Sequence, residues 1–118
     1  MSAEPTARPQ GTCIIVHENV IVAEDLREAL MAEGANNIVI GRDVSQLGAQ
    51  SPMVAFIAGQ VDQVIRLPEV MEWRGHGAQI VVMPGFVDDV ELQDGIHILE
   101  QPFRSEQATG LIQKLKLF

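Results

Sequence analysis

Short apolar runs alternate along this chain with segments whose apolar positions recur at helical spacing. The first run, residues 12–17, is rich in β-branched residues and is bounded by polar residues and glycine. A run that is apolar along its whole length is typical of a strand in a parallel sheet covered on both faces. The next segment changes to a helical period and stops at Gly34, a residue common just past the end of a helix.

The same alternation repeats to the end of the chain. The later apolar runs predict four more strands, at residues 36–41, 52–59, 79–85 and 95–102. One helix is expected to begin at Pro68, because proline suits the first helical turn. Another is expected after Ser105 as N-cap, with an amphipathic pattern. Residues 43–50 are interpreted as a short helix or loop, and residues 87–93 as at most a short helix.

Five strands that alternate with helices through short connections predict an α/β domain with a parallel sheet covered on both sides. In a chain of 118 residues this pattern indicates one domain with the flavodoxin-like, doubly wound, three-layer fold. The expected strand order is 2-1-3-4-5. Residues 1–11 carry two prolines and small or polar side chains, so they are interpreted as a flexible tail before a domain at residues 12–118.

Composition narrows the function classes. Sixteen acidic and eight basic residues give a net charge of -8, which argues against DNA, RNA or an anionic membrane as the main partner. A single cysteine, Cys13, excludes an internal disulfide and a cysteine-rich zinc site. No apolar run reaches the roughly 18 residues of a membrane span, and the first ten residues do not resemble a signal peptide. We therefore expect a cytoplasmic protein.

The strand sequences resemble those of the receiver domains of response regulators, the CheY-like family. CIIVHENVIVAEDLREALMAEG is similar to the family's first strand and helix, PMVAFIAG to its third strand, IVVMPGF to its fourth and ILEQPF to its fifth. The resemblance covers about residues 12–117, and the spacing is similar to that of single-domain receivers of some proteobacteria. It implies a CheY-like fold and a place in bacterial two-component or phosphorelay signalling.

A working receiver needs a nucleophilic carboxylate, an acidic pair that holds Mg²⁺, a hydroxyl and a lysine. The resemblance assigns these positions, in that order, to Ala58, to His17 with Glu18, to Pro84 and to Gln101. It places the aromatic residue that rotates on activation at Ile98. It also implies a cis peptide bond between Gln101 and Pro102.

None of the residues at these positions can perform the phosphotransfer role of the family residue. Alanine has no nucleophilic atom, proline has no hydroxyl, glutamine is neutral, and Glu18 alone is a poor magnesium site. Residues 52–59 contain no acid at all, so a shift of the alignment does not restore one. We interpret the chain as a pseudo-receiver that keeps the scaffold and has lost phosphotransfer, with no enzymatic activity, no cofactor and no Mg²⁺ binding expected.

Other candidate residues favour structural roles. The three histidines lack metal-motif spacing, and His17 is interpreted as filling the vacated acidic site. Asp88 and Asp89 are interpreted as the start of a helix instead of a metal pair. Trp73 is expected in the core, and Cys13 is expected to be a buried small hydrophobe.

Three hypotheses about the function remain open. The leading one is a signalling module that binds a histidine kinase, a phosphotransfer protein or a response regulator. The resemblance also implies a possible homodimer through the face of the C-terminal helix. In the second hypothesis the chain is an oligomerisation scaffold. In the third it is a sensor that binds a small ligand in a pocket formed by His17, Glu18, Ala58, Pro84 and Gln101.

Overall fold

A five-stranded parallel sheet forms the centre of the computed structural model, which describes residues 11–86 and 93–117. The strands are β1 (Thr12–Val16), β2 (Ile38–Gly41), β3 (Pro52–Ala58), β4 (Gln79–Met83) and β5 (Ile96–Ile98). Their order in the sheet is β2-β1-β3-β4-β5, and every neighbouring pair is parallel. The fold and strand order predicted from the sequence are thereby confirmed. The aspartates at 88 and 89 and most of the N-terminal segment lie outside the described residues.

The described helices are α1 (Val20–Ala32), α2 (Val61–Val64), α3 (Pro68–Gly75) and α4 (Ser105–Leu115), with a 3-10 helix at Val44–Leu47. The side chain of Asn19 caps α1 by accepting hydrogen bonds from the N–H groups of Ile21 and Val22. Ser105, expected as a cap, is instead the first residue of α4, and Arg104 is its N-cap. The reason is local, because the Gln107 side chain accepts the Arg104 N–H at 2.7 Å.

The apolar side chains form one core on each face of the sheet. Along β3, Val54 and Phe56 pack towards α1 and α4, while Ala55 and Ile57 pack towards α2 and α3. The buried residues that the structure describes include no polar or charged side chain. Full burial of a large aliphatic or aromatic side chain stabilises a fold by about 1.5–3 kcal/mol, so both cores hold the strand ends firmly in place.

Trp73 belongs to the core on the α2 and α3 side, as its sequence context predicts. Its side chain is 2% exposed, and its indole Nε1–H donates to the Gln50 carbonyl oxygen at 3.0 Å. Across the described ranges, none of the helices combines the length and the apolar character that crossing a membrane demands.

Candidate functional site

The carboxyl ends of the strands bring the sequence-predicted site residues to one edge of the sheet. Val16 lies opposite Ile57 in the ladder, and Ala58 lies opposite Met83. The residues at the ends of β1, β3 and β4 are therefore neighbours. Gln101 joins them because its backbone N–H donates to the Pro84 carbonyl oxygen at 2.9 Å.

A hydrogen-bonded bridge between His17 and Gln101 crosses this edge. His17 Nε2 lies 2.7 Å from Gln101 Oε1, and Gln101 Nε2–H donates to the Met83 carbonyl oxygen at 2.9 Å. The backbone N–H of Asn19 donates to His17 Nδ1 at 2.9 Å. A backbone N–H can only donate, so Nδ1 accepts and Nε2 carries the proton that goes to Gln101. The bridge is a neutral imidazole and a neutral amide that tie the end of β1 to the end of β4.

Ala58 and Glu18 flank this bridge without adding reactive chemistry. The methyl group of Ala58 is half-buried against the core on the α1 and α4 side. Glu18 is exposed, whereas its neighbour His17 is half-buried, so the two side chains differ in their access to water. Within residues 11–86 and 93–117, no three side chains of the metal-binding types form a group that could hold an ion.

Gln60 holds the loop that follows β4, a role that sequence reasoning missed. Its Nε2–H donates to the Phe86 carbonyl oxygen and its Oε1 accepts the Gly85 N–H, both at 3.3 Å. The loop begins at Pro84, which is buried and offers neither a hydroxyl nor a backbone N–H. A polar residue two positions after the end of a buried strand was the available signal.

Two further predicted positions lie on the β5 side of the site. Ile98 is half-buried and packs on the core formed with α2 and α3. The peptide bond between Gln101 and Pro102 is cis. Leu99, directly after β5, stays attached to β4, because its N–H donates to the Val82 carbonyl oxygen at 2.9 Å.

The remaining chemistry-bearing side chains lie elsewhere. Cys13 is fully buried in β1, and burial raises the pKa of its thiol to about 11, so it is a poor nucleophile. His97 Nε2 lies 2.7 Å from Gln79 Oε1 on the neighbouring strand. Burial, and then the charge of Lys114, lower the pKa of His97. His76 is exposed at the end of α3.

Comparisons with known proteins identify the fold. No family model matches this chain, and no curated protein matches it. Among solved structures it is similar to a mutant of the anti-anti-sigma factor PhyR from Bartonella quintana, with a TM-score of 0.68 and 13% identity over 88% of this chain. It is also similar to a response regulator receiver domain protein from Bacillus halodurans, with a TM-score of 0.66 and 13% identity, again over 88% of this chain.

The two neighbours differ in how much of them the chain spans. The match covers 95% of the receiver domain protein but only 47% of PhyR, so the chain spans about half of the latter. At 13% identity these likenesses show the fold alone. That fold is the receiver fold that the strand sequences resemble.

Proposed function

We propose that this chain is a receiver-fold signalling module that acts through protein contacts and takes up no phosphoryl group. The observation that supports this most directly is the bridge from His17 through Gln101 to the Met83 carbonyl oxygen. It occupies the edge of the sheet where the resemblance locates phosphotransfer.

The bridge and the residues around it oppose phosphotransfer in two ways. Ala58 offers no oxygen to attack phosphorus, so no aspartyl phosphate can form at the expected position. A phosphoryl group also carries negative charge that needs fixed cations, and His17 and Gln101 present a neutral ring and a neutral amide. Admitting phosphate would cost the hydrogen bonds of the bridge, each worth about 0.5–1.5 kcal/mol.

Apolar side chains at the start of α1 support a role in protein contacts. Val20 and Ile21, which open α1 directly after the bridge region, are 64% and 72% exposed. Phe86, in the loop after β4, is 59% exposed. Large apolar side chains exposed around one site often mark a protein contact surface. On α4, by contrast, Leu111 and Leu115 pack against the core, so we place the contact surface at the strand ends instead of on α4.

The names of the structural neighbours are consistent with this proposal. One is a response regulator receiver domain protein, and the other is an anti-anti-sigma factor. We propose that the partner is a protein of the same signalling class, a histidine kinase, a phosphotransfer protein or a response regulator. The module would alter that partner without carrying phosphate itself.

Incubation with acetyl phosphate and Mg²⁺, followed by intact-mass measurement, tests the loss of phosphotransfer. We expect no phosphoryl adduct on the wild-type chain and none on Ala58→Asp, because that variant still lacks the hydroxyl and the lysine. The matched positive control restores the family residues together, as His17→Asp, Ala58→Asp, Pro84→Thr and Gln101→Lys. A stable aspartyl phosphate on the wild-type chain, or rapid phosphorylation of the single variant, would disprove the proposal.

Affinity capture tests the contact surface. The wild-type chain is expected to retain a histidine kinase, a phosphotransfer protein or a response regulator from bacterial lysate, and Ile21→Asp is expected to lose it. Met71→Asp is the matched control, because Met71 is 58% exposed on α3 and lies away from the strand ends. Retention of only the chain itself would instead support the oligomerisation scaffold. Equal capture by both variants would show that the surface lies elsewhere.

A further inference from the structure

A cavity of about 240 Å³ opens at the carboxyl edge of the sheet. It is lined by the ends of β1 and β3, the residues after β2, and α2. Of the five positions that the sequence suggested for a ligand, it includes only Ala58. We propose that this cavity binds a small monocarboxylate, with its alkyl part inside and its carboxylate on Arg42. Its volume equals that of about eight liquid waters, which is room for the alkyl part of such a ligand.

The cavity lies at the part of the sheet where open α/β folds commonly bind ligands. The chain passes from β1 outward to β2 and then crosses back to β3 on the other side of β1. Loops that follow strands on either side of such a reversal diverge and leave a crevice outside the carboxyl ends. Val16 at the end of β1 and Ile57 at the end of β3 both line the cavity.

The floor of the cavity fits an alkyl group, and its rim fits an anion. Val44, Ile57 and Val64 are at most 4% exposed and form an apolar floor. Arg42 lies at the rim and is exposed, and its guanidinium has no hydrogen bond or ion pair with any residue the structure describes. The other rim charge, Asp43, is engaged, since its Oδ1 accepts the Ser45 N–H at 3.0 Å. A guanidinium binds a carboxylate through two parallel hydrogen bonds, so Arg42 selects an anion of that shape.

Two features of β3 and the loop after it keep the cavity open to an anion. Ala58 carries no charge, so no carboxylate at the end of β3 repels the ligand. Gly59 has a φ of +143°, a conformation that side chains rarely adopt, and a Cβ there would lie 3.0 Å from Val64 Cγ2. Glycine therefore leaves the space between β3 and α2 unfilled.

Amide NMR of the ¹⁵N-labelled full chain tests the site with three probes of one length: pentanoate, pentanol and pentylammonium. We expect pentanoate to give saturable shifts at the amides of Arg42, Val44 and Gly59. Pentanol should bind about tenfold more weakly, because it cannot form the charge-assisted hydrogen bonds to Arg42, which water at the exposed rim weakens. Pentylammonium should bind most weakly. No saturable shift with any probe would overturn the proposal.

Paired variants separate the site from general charge effects. Arg42→Gln should reduce pentanoate affinity to that of pentanol, and Arg27→Gln should leave it unchanged, since Arg27 is paired with Glu24 on α1. Equal loss in both arginine variants would contradict the assignment of Arg42. The ligand proposal does not rest on the proposed function, since its own test varies Arg42, a residue that neither the phosphorylation test nor the capture test changes.

Discussion

Two histidine–glutamine pairs in this chain have the same 2.7 Å contact and different surroundings. At the strand ends, His17 and Gln101 each make a second hydrogen bond, to the Asn19 N–H and to the Met83 carbonyl oxygen. On the sheet, His97 and Gln79 bond to each other, and neither side chain has a second hydrogen bond to any residue the structure describes. The same contact is part of a network in one region and an isolated pair in the other.

The two histidine–glutamine pairs also differ in the segments of the chain that they connect. His17 and Gln101 are 84 residues apart and join the loop after β1 to the connection after β5. Gln79 and His97 lie on β4 and β5, which are already joined by the backbone ladder. A side-chain bond adds more order where the backbone provides no direct connection. The hydrogen bonds of His17 and Gln101 therefore connect two loops at the candidate site.

Removing each glutamine in turn gives the largest expected difference between the two regions. Gln101→Leu leaves the His17 Nε2–H without its acceptor and removes one of the two hydrogen bonds to the Met83 carbonyl oxygen, which keeps the Gly59 N–H. We expect it to lower the free energy of unfolding by about 1–3 kcal/mol. Gln79→Leu should cost below about 1 kcal/mol, because water reaches the half-exposed His97 ring and replaces the lost acceptor. Urea unfolding of both variants measures the two values.

Equal costs, or a larger cost for Gln79→Leu, would show that the second hydrogen bonds of the His17 network contribute nothing to stability. His17→Asn is a useful third variant. It removes the bond to Gln101 while keeping an uncharged polar side chain at the end of β1. Its cost should approach that of Gln101→Leu, since both variants break the same bridge.

The sequence predicted the strands and most helices because their signals are local. The apolar run before His17 and the helical period after it are each visible within about a dozen residues. The single turn of α2 was missed, because four residues are too few to show a period. The sequence showed which catalytic residues of the receiver family are replaced, at Ala58 and Pro84. It did not show which hydrogen bonds form in their place. The bond between His17 and Gln101 depends on two side-chain conformations across the sheet, which no pattern along the chain encodes.

The pH dependence of stability is the smallest expected difference between the two pairs, and it concerns His97. Burial, and then the charge of Lys114, lower the pKa of His97 in the folded chain below its ordinary value of 6.5. Well above pH 6.5 the ring is neutral in both states, so its titration affects stability little. As the pH falls below 6.5, the unfolded chain takes up the proton first, so stability declines until the folded-state pKa is reached. We expect His97→Gln to weaken this decline and Lys114→Gln to weaken it less, because Lys114 is the second cause of the shift. Urea unfolding at several pH values from neutral to mildly acidic would measure the slopes, and an unchanged slope in His97→Gln would contradict the assignment.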